Sequence, residues 1–250
     1  MTTKNRGKIM KPFNKMMPNG VTIAAFAAIL AGAGLSALPA YAEDDGFPGE
    51  FAANVTLASE YIFRGVSLTD EDPAIQGSLD WSHDSGFYLG AWASNIELGA
   101  GTIEIDYYGG FGGDLGDTGF SYDLGFVYYT FPGDEADGDY IEFAAQLGRD
   151  FGIVSTNVGV AYVPTGQDAF GDDDAIYVWG DTEVPIPSTP ITAGFHLGYE
   201  DFGSGVNKLD WSVGLYATVE GIDLGIAYVD TDVAGDNTDA RVLFTIGKSF

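Results

Sequence analysis

Most of the side chains able to do chemistry are carboxylates: 37 Asp and Glu stand against 10 Lys and Arg, two His and no Cys. His83 is followed by Asp84 and Ser85, and His196 has no serine motif near it. Neighbours in sequence do not make a nucleophile, base and orienting acid, so no catalytic residue is assigned and the chain is read as a non-enzyme. The runs Asp172-Asp173-Asp174 and Asp134-Glu135-Ala136-Asp137-Gly138-Asp139 offer hard oxygen ligands of the kind Ca²⁺ and Mg²⁺ prefer. Neither has calcium-loop spacing, so neither a metal site nor a cofactor is assigned. The expectation is weak divalent bridging between these loops and anionic lipopolysaccharide. Arg64 stands four residues after Glu60, ~13 Å along an extended strand and too far to bond to it. Its expected partners are acids on neighbouring strands: Asp80, Glu104, Asp106 or Glu142. With Glu60 and Arg64 they would line a charged constriction that selects permeants by field and size, or else an ion-pair network that plugs the interior.

Those side chains need an element that points them inward, and the sequence supplies strands. Phe51, Ala53, Val55, Leu57, Tyr61 and Phe63 share one parity, and Asn54, Thr56, Glu60 and Arg64 the other. The pattern returns in Ile75/Leu79/Trp81 against Gln76/Ser78/Asp80, and in Ile103/Ile105/Tyr107 against Thr102/Glu104/Asp106. Phe120 to Phe126, Ile141 to Leu147, Ile191 to Leu197, Leu209 to Leu215, Ile222 to Tyr228 and the tail Ala240 to Phe250 repeat it. Phe87–Ile96, Ile153–Val163 and Ala175–Val184 read as strands with less clean faces. About twelve strands of roughly ten residues suit a closed antiparallel up-and-down barrel crossing a membrane, with apolar residues toward lipid and polar ones toward a wet interior. A soluble sandwich also alternates. The competing reading is therefore a secreted or periplasmic acidic β-sandwich that binds cations or a protein partner.

Location bears on that choice. Residues 1–42 carry Lys4, Arg6, Lys8, Lys11 and Lys15 with no acid, then the apolar run Val21 to Leu38, then Ala40-Tyr41-Ala42. This is the form of an export signal cleaved after Ala42, with Met10 as an alternative start. Residues 43–50 would form an acidic leader and 51–250 the barrel. Removing the signal leaves Arg64, Arg149, Lys208, Arg241 and Lys248 against 37 acids, a formal charge of 5 − 37 = −32. Such a surface repels nucleic acid and attracts cations.

Connection lengths orient the strands. Short turns are expected at His83–Gly86, Gly113–Gly119, Arg149–Gly152, Val184–Pro190 and Glu220–Gly221. Longer loops are expected at Val66–Pro73, Leu98–Gly101, Phe131–Asp139, Pro164–Asp174, Asp201–Lys208 and Asp230–Asp239. Asp70, Asp72, Asp134, Asp137, Asp172, Asp173 and Asp174 all fall in the long, outer set, which would make one mouth acidic. Aromatics near strand ends, among them Tyr61, Phe63, Tyr107, Tyr108, Tyr128, Tyr129, Trp179 and Tyr228, suggest headgroup girdles.

The stretch Ser59-Glu60-Tyr61-Ile62-Phe63-Arg64-Gly65-Val66-Ser67-Leu68-Thr69-Asp70-Glu71-Asp72-Pro73-Ala74-Ile75-Gln76-Gly77 resembles the opening motif of the TorF family, porins of bacterial outer membranes. His83 to Asn95 and Tyr128-Tyr129-Thr130-Phe131-Pro132-Gly133 continue the likeness, and Leu68 stands where the family pattern favours a polar residue. The resemblance implies an outer-membrane barrel and a passive pore. It also implies that the terminal Phe250 is read by the barrel-assembly machinery. The expectation is a cation-preferring diffusion channel for small hydrophilic solutes or ions, with outer-membrane lipid and lipopolysaccharide around it.

Overall fold

The structure, a computed structural model, describes residues 48–97, 101–133, 138–167, 169–170, 172–203 and 205–250. The export signal and its cleavage site, residues 43–47 of the leader, and Asp134 and Asp137 lie outside these described residues.

Twelve strands form one closed antiparallel barrel. They are β1 (Glu50–Ala58), β4 (Ala74–Ser82), β5 (Phe87–Asn95), β6 (Ile103–Asp114), β7 (Phe120–Thr130) and β8 (Tyr140–Asp150), followed by β9 (Ser155–Val163), β10 (Ala175–Pro185), β11 (Ile191–Asp201), β12 (Asn207–Val219), β13 (Ile222–Thr231) and β14 (Arg241–Ser249). Two short strands, β2 (Ile62–Phe63) and β3 (Val66–Ser67), pair only with each other. Each barrel strand lies beside its sequence neighbour in the wall, and the ring shuts where β1 meets β14. There Asn54–Ala58 pair with Ser249–Thr245, and Phe250 and Ala53 exchange backbone hydrogen bonds of 2.8 and 3.2 Å. One sheet closed on itself excludes the two-sheet sandwich.

The strands are strongly tilted. A hydrogen-bonded row that starts at Glu50 passes through Ser82, Tyr88, Gly110, Gly125, Ala144, Ala161, Tyr177 and Glu200 to Lys208. It enters at the mouth that holds Glu50 and Ser249 and leaves at the opposite mouth, as the stagger of a closed barrel requires.

Alternation sorts the side chains as a water-soluble protein would not. Val55, Leu57, Ile75, Leu79, Leu124, Phe143, Phe195, Leu197, Val213, Phe244 and Ile246 point outward and are exposed, whereas Thr56, Gln76, Ser78, Glu104, Asp106, Asp123, Glu142, Gln146, Glu200 and Asp210 are buried inside. The less regular faces of β5 and β10 have a simple cause. Tyr88, Trp92, Tyr177 and Trp179 are apolar by type yet face the interior, where they are buried. The same feature corrects the girdle expectation: Tyr107, Tyr128 and Tyr228 are on the outside, but Tyr61, Tyr108, Tyr129 and Trp179 are interior. Glycines make room for these rings. A Cβ on Gly90 would sit 2.4 Å from the Tyr108 ring, and one on Gly110 would sit 2.4 Å from the Tyr88 hydroxyl.

Short connections gather at the mouth of Glu50 and Ser249, and longer ones at the other. β10 continues through Pro185, which shortens the expected Val184–Pro190 turn to Ile186–Pro190. The largest departure is the first long connection, residues 59–73, which folds into the barrel.

Candidate functional site

The first strand does not run to Arg64 as its alternation predicts; it ends at Ala58. Ser59 holds the end of β1 to the wall: its N–H donates to the Phe244 carbonyl at 2.8 Å, and its Oγ accepts from the Phe244 N–H at 3.0 Å. The chain then turns inward as the β2–β3 hairpin. Its two-residue turn is Arg64-Gly65, with φ of 47° and 81°. Positive φ at both positions marks the hairpin turn whose twist matches its strands. Gly65 is needed for space as well, because a Cβ there would lie 2.9 Å from Thr231 Cβ and 3.0 Å from Asp210 Cβ. The hairpin base is tied by Tyr61 N–H to Thr69 Oγ1 at 3.0 Å, Leu68 N–H to the Tyr61 carbonyl at 2.7 Å and Glu97 N–H to the Leu68 carbonyl at 2.8 Å. Leu68 thus contributes backbone bonds, and its side chain packs on the interior aromatics.

Arg64 at the tip is the centre of the site. Its Nη2 lies 2.8 Å from both oxygens of Glu142 on β8, and its Nη1 donates to Glu200 on β11 at 2.6 Å. Lys208 on β12 pairs with Glu200 at 3.1 Å and also donates to the Arg64 carbonyl. The guanidinium lies over the Tyr177 ring, 4.0 Å from its centroid, and 4.7 Å from that of Phe63. Burial alone would lower the pKa of Arg64, but the charges of Glu142 and Glu200 outweigh it and hold the group above its ordinary value. Arg64 therefore stays charged.

The other sequence-predicted residues divide. Glu142 is the one expected acid that meets Arg64. Glu60 instead pairs with Arg241 of β14 at 2.8 Å. Asp80 accepts from Ser78 at 2.6 Å and from the Tyr108 hydroxyl. Glu104 and Asp106 lie on the inner face of β6 beneath Tyr61, whose hydroxyl donates to Glu104 at 3.3 Å. Burial, with the charges of Glu104 and Asp106, pushes the Tyr61 hydroxyl well up, so it remains a donor. Asp70, Asp72, Asp172 and Asp173 are exposed at the rim and Asp174 is half-buried. The Phe250 ring is exposed, with Lys248 Nζ 5.3 Å from its centroid.

Sequence reasoning missed Glu200, Lys208 and Tyr177. Glu200 and Lys208 continue the inward parity of Thr192/His196 and of Asp210/Ser212, so extending two alternations by a few residues finds both. Lower in the interior, His196 Nδ1 is 2.7 Å from Asp181, while its Nε2 is 3.1 Å from Asp210 and 2.8 Å from the Tyr177 hydroxyl. Both ring nitrogens are thus engaged by partners other than a serine.

Solved proteins similar to the barrel include a porin and an outer membrane channel. With the NanC porin it shares 14% identity and a TM-score of 0.54, over 80% of this chain and 98% of that one. With an outer membrane channel from Pseudomonas putida F1 it shares 10% identity and a TM-score of 0.50, over 84% of this chain and all of the other. At such identities the likeness is one of fold. No curated protein matches the sequence. Residues 42–250 match the model of a family described as bacterial proteins of unknown function, Gcw_chp, and the chain belongs to that family.

Proposed function

We propose that this protein is a passive channel of the bacterial outer membrane, narrowed at its loop-rich mouth by the β2–β3 hairpin and preferring cations. The observation that carries the reading is the inverted barrel: exposed aliphatic and aromatic residues on the outside, charged and hydrogen-bonded groups within. An apolar exterior on that scale is stable against hydrocarbon and unstable in water, while a closed barrel satisfies every strand edge. The likeness of Ser59 to Gly77 to the opening motif of the TorF porins supports the same assignment. So does the export signal read in residues 1–42, with cleavage after Ala42. The short-turn mouth would then face the periplasm and the acidic rim the medium, where divalent cations would bridge it to lipopolysaccharide. Phe250 would present the C-terminal strand to the barrel-assembly machinery. No turnover is assigned to the interior.

Arg64 sets the narrowest part of the proposed path, with Glu60, Asp80 and Glu142 along it, while Glu104 and Asp106 stay buried beneath Tyr61. Purified protein in planar bilayers tests the reading: discrete conductance steps with a cation-preferring reversal potential are expected. Protein that leaves cells freely soluble without detergent, or bilayers that stay silent, would overturn it.

A further inference from the structure

The described bases divide by the face of the barrel they occupy. Arg64, Lys208 and Arg241 lie inside its loop-rich half and pair with Glu142, Glu200 and Glu60. Arg149 and Lys248 have no carboxylate partner among the described residues. Both stand on the outward parity of their strands at the short-turn mouth: Lys248 follows Phe244 and Ile246 on β14, and Arg149 follows Phe143 and Leu147 on β8. Each is set against aromatic rings, Arg149 over Phe120 and Phe151, and Lys248 over Phe250. The outer wall is apolar between the mouths and the opposite rim is acidic, so the barrel offers outward positive charge only at this one level.

Lys248 has a neighbour that Arg149 lacks. On the wall beside it, the outward side chains from β11 round to β1 leave an apolar groove of about 620 Å³. That is within the ~300–1,000 Å³ of ordinary ligand pockets. One side of the groove is the row Ile191, Ala217, Leu224, Ile246 and Leu57, successive register partners across five strands, and Phe244 stands on the other. Ala217 gives the row a gap, and the Tyr216 ring next to it turns into the lumen against Gly194 and Gly214. The row climbs in the same sense as the one from Glu50 to Lys208. The groove therefore rises obliquely from Ile191, near the short-turn mouth, to Leu57 farther up the wall. Lys248 lies two residues beyond Ile246, ~7 Å along β14, on the short-turn side.

An apolar trough with one ammonium at its lower edge matches a molecule made of a hydrocarbon chain and an anionic head. The chain covers exposed aliphatic surface, and the head accepts charge-assisted hydrogen bonds from Lys248. A lysine whose stem lies along apolar surface while its head reaches the headgroup level is the ordinary way such a residue sits at a membrane border. Lipopolysaccharide does not fit, because its anionic groups belong to the other mouth, where the rim is acidic. We infer that Lys248 and the groove from β11 to β1 bind one phospholipid of the periplasmic leaflet, its phosphodiester on Lys248 and one acyl chain along the row that holds Ile246 and Leu224. The inference rests on the outer-membrane reading and its orientation, and not on conduction.

The test uses the full-length protein refolded in detergent without lipid, titrated with dioleoylphosphatidylglycerol and read by native mass spectrometry. A saturable one-to-one complex is expected, at least tenfold weaker in Lys248→Gln and unchanged in Arg149→Gln, which removes the base that has rings but no groove. Ala217→Trp closes the gap in the row without touching the base and should also weaken the complex at least tenfold. Equal weakening by Arg149→Gln and Lys248→Gln would reduce the effect to attraction between a basic border and an anionic lipid, and would overturn the site. So would glycerol phosphate binding as tightly as the lipid, or a dimer of the protein that takes up no lipid. Heat-modifiable gel migration verifies that each variant is folded, and Ala217→Trp carries the test if Lys248→Gln does not assemble. The two failures look different: protein that dissolves without detergent removes barrel and site together, whereas a heat-modifiable barrel that needs detergent and binds no phospholipid removes the site alone.

Discussion

Arg64 shows how one side chain can fix the state of the interior. Its guanidinium joins the hairpin to β8 through Glu142 and to β11 through Glu200, in a place nearly closed to water. Burying three charges together costs much of what their attraction returns, so such a clamp adds specificity more than stability. Removing one partner is different, because the charges left behind stay buried and unpaired, at a cost of about 3–5 kcal/mol. Arg64→Ala is therefore expected to drive the hairpin off the wall, where water can reach Glu142 and Glu200. Single-channel conductance should rise and cation preference should shift, while the folded barrel persists on gels. Arg64→Lys should give an intermediate value, since an ammonium cannot reproduce the fork that spans both oxygens of Glu142. Conductance equal to wild type in both variants would mean that the clamp does not narrow the path. The role of Arg64 among acids was legible in its sequence surroundings, and so was Glu142. Its seat on a hairpin was not, because Glu60 and Arg64 keep the parity of β1, and alternation alone does not show where a strand leaves the sheet.

The hairpin is the element that distinguishes this barrel from an open cylinder, and Gly65 is its hinge. Alanine there would add the strain of a positive φ, ~1 kcal/mol or more, to a collision with Thr231 and Asp210 on the barrel wall. Gly65→Ala should therefore loosen the tip without harming the wall. Trypsin can read this directly, because Arg64 is a cleavage site that is 7% exposed in the seated hairpin. Cleavage after Arg64 should be several-fold faster in the variant, and equal rates would contradict the proposed seating. The sequence does carry a sign of the turn: Phe63-Arg64-Gly65-Val66 places a glycine second in a two-residue connection between apolar residues. The closing strand makes a second prediction at this scale. Deleting Phe250 removes its two backbone bonds to Ala53 and the exposed terminal ring. If assembly machinery reads that ring, the folded fraction in the outer membrane should fall several-fold while refolding into detergent in vitro stays near wild type. An equal loss in both settings would instead mark Phe250 as a closure residue.

At the scale of the molecule, alternation met two surroundings at once, and this was why the strand count and the closed topology could be read from sequence. The acid distribution followed the connections, because solvated charge collects where the chain is longest. Interior aromatics were not legible by type: Tyr88, Trp92, Tyr177 and Trp179 look like lipid-facing residues until glycines on neighbouring strands are seen to receive rings of this kind. The charge pattern that results has two depths, and they should respond differently to salt. Asp70, Asp72, Asp172 and Asp173 lie exposed at the rim, where the Debye length shrinks from about 30 Å at 0.01 M to about 3 Å at 1 M. Asp80 lies half-buried inside the barrel, where mobile ions screen it less. The ratio of cation to anion permeability, taken from reversal potentials, should accordingly fall as salt rises and level off above unity. The salt-sensitive part should vanish when the rim aspartates are changed to asparagine, and the residual part should shrink when Asp80 is. A ratio that decays fully to unity at 1 M would assign all selectivity to the rim, and anion preference at low salt would contradict the acidic path itself.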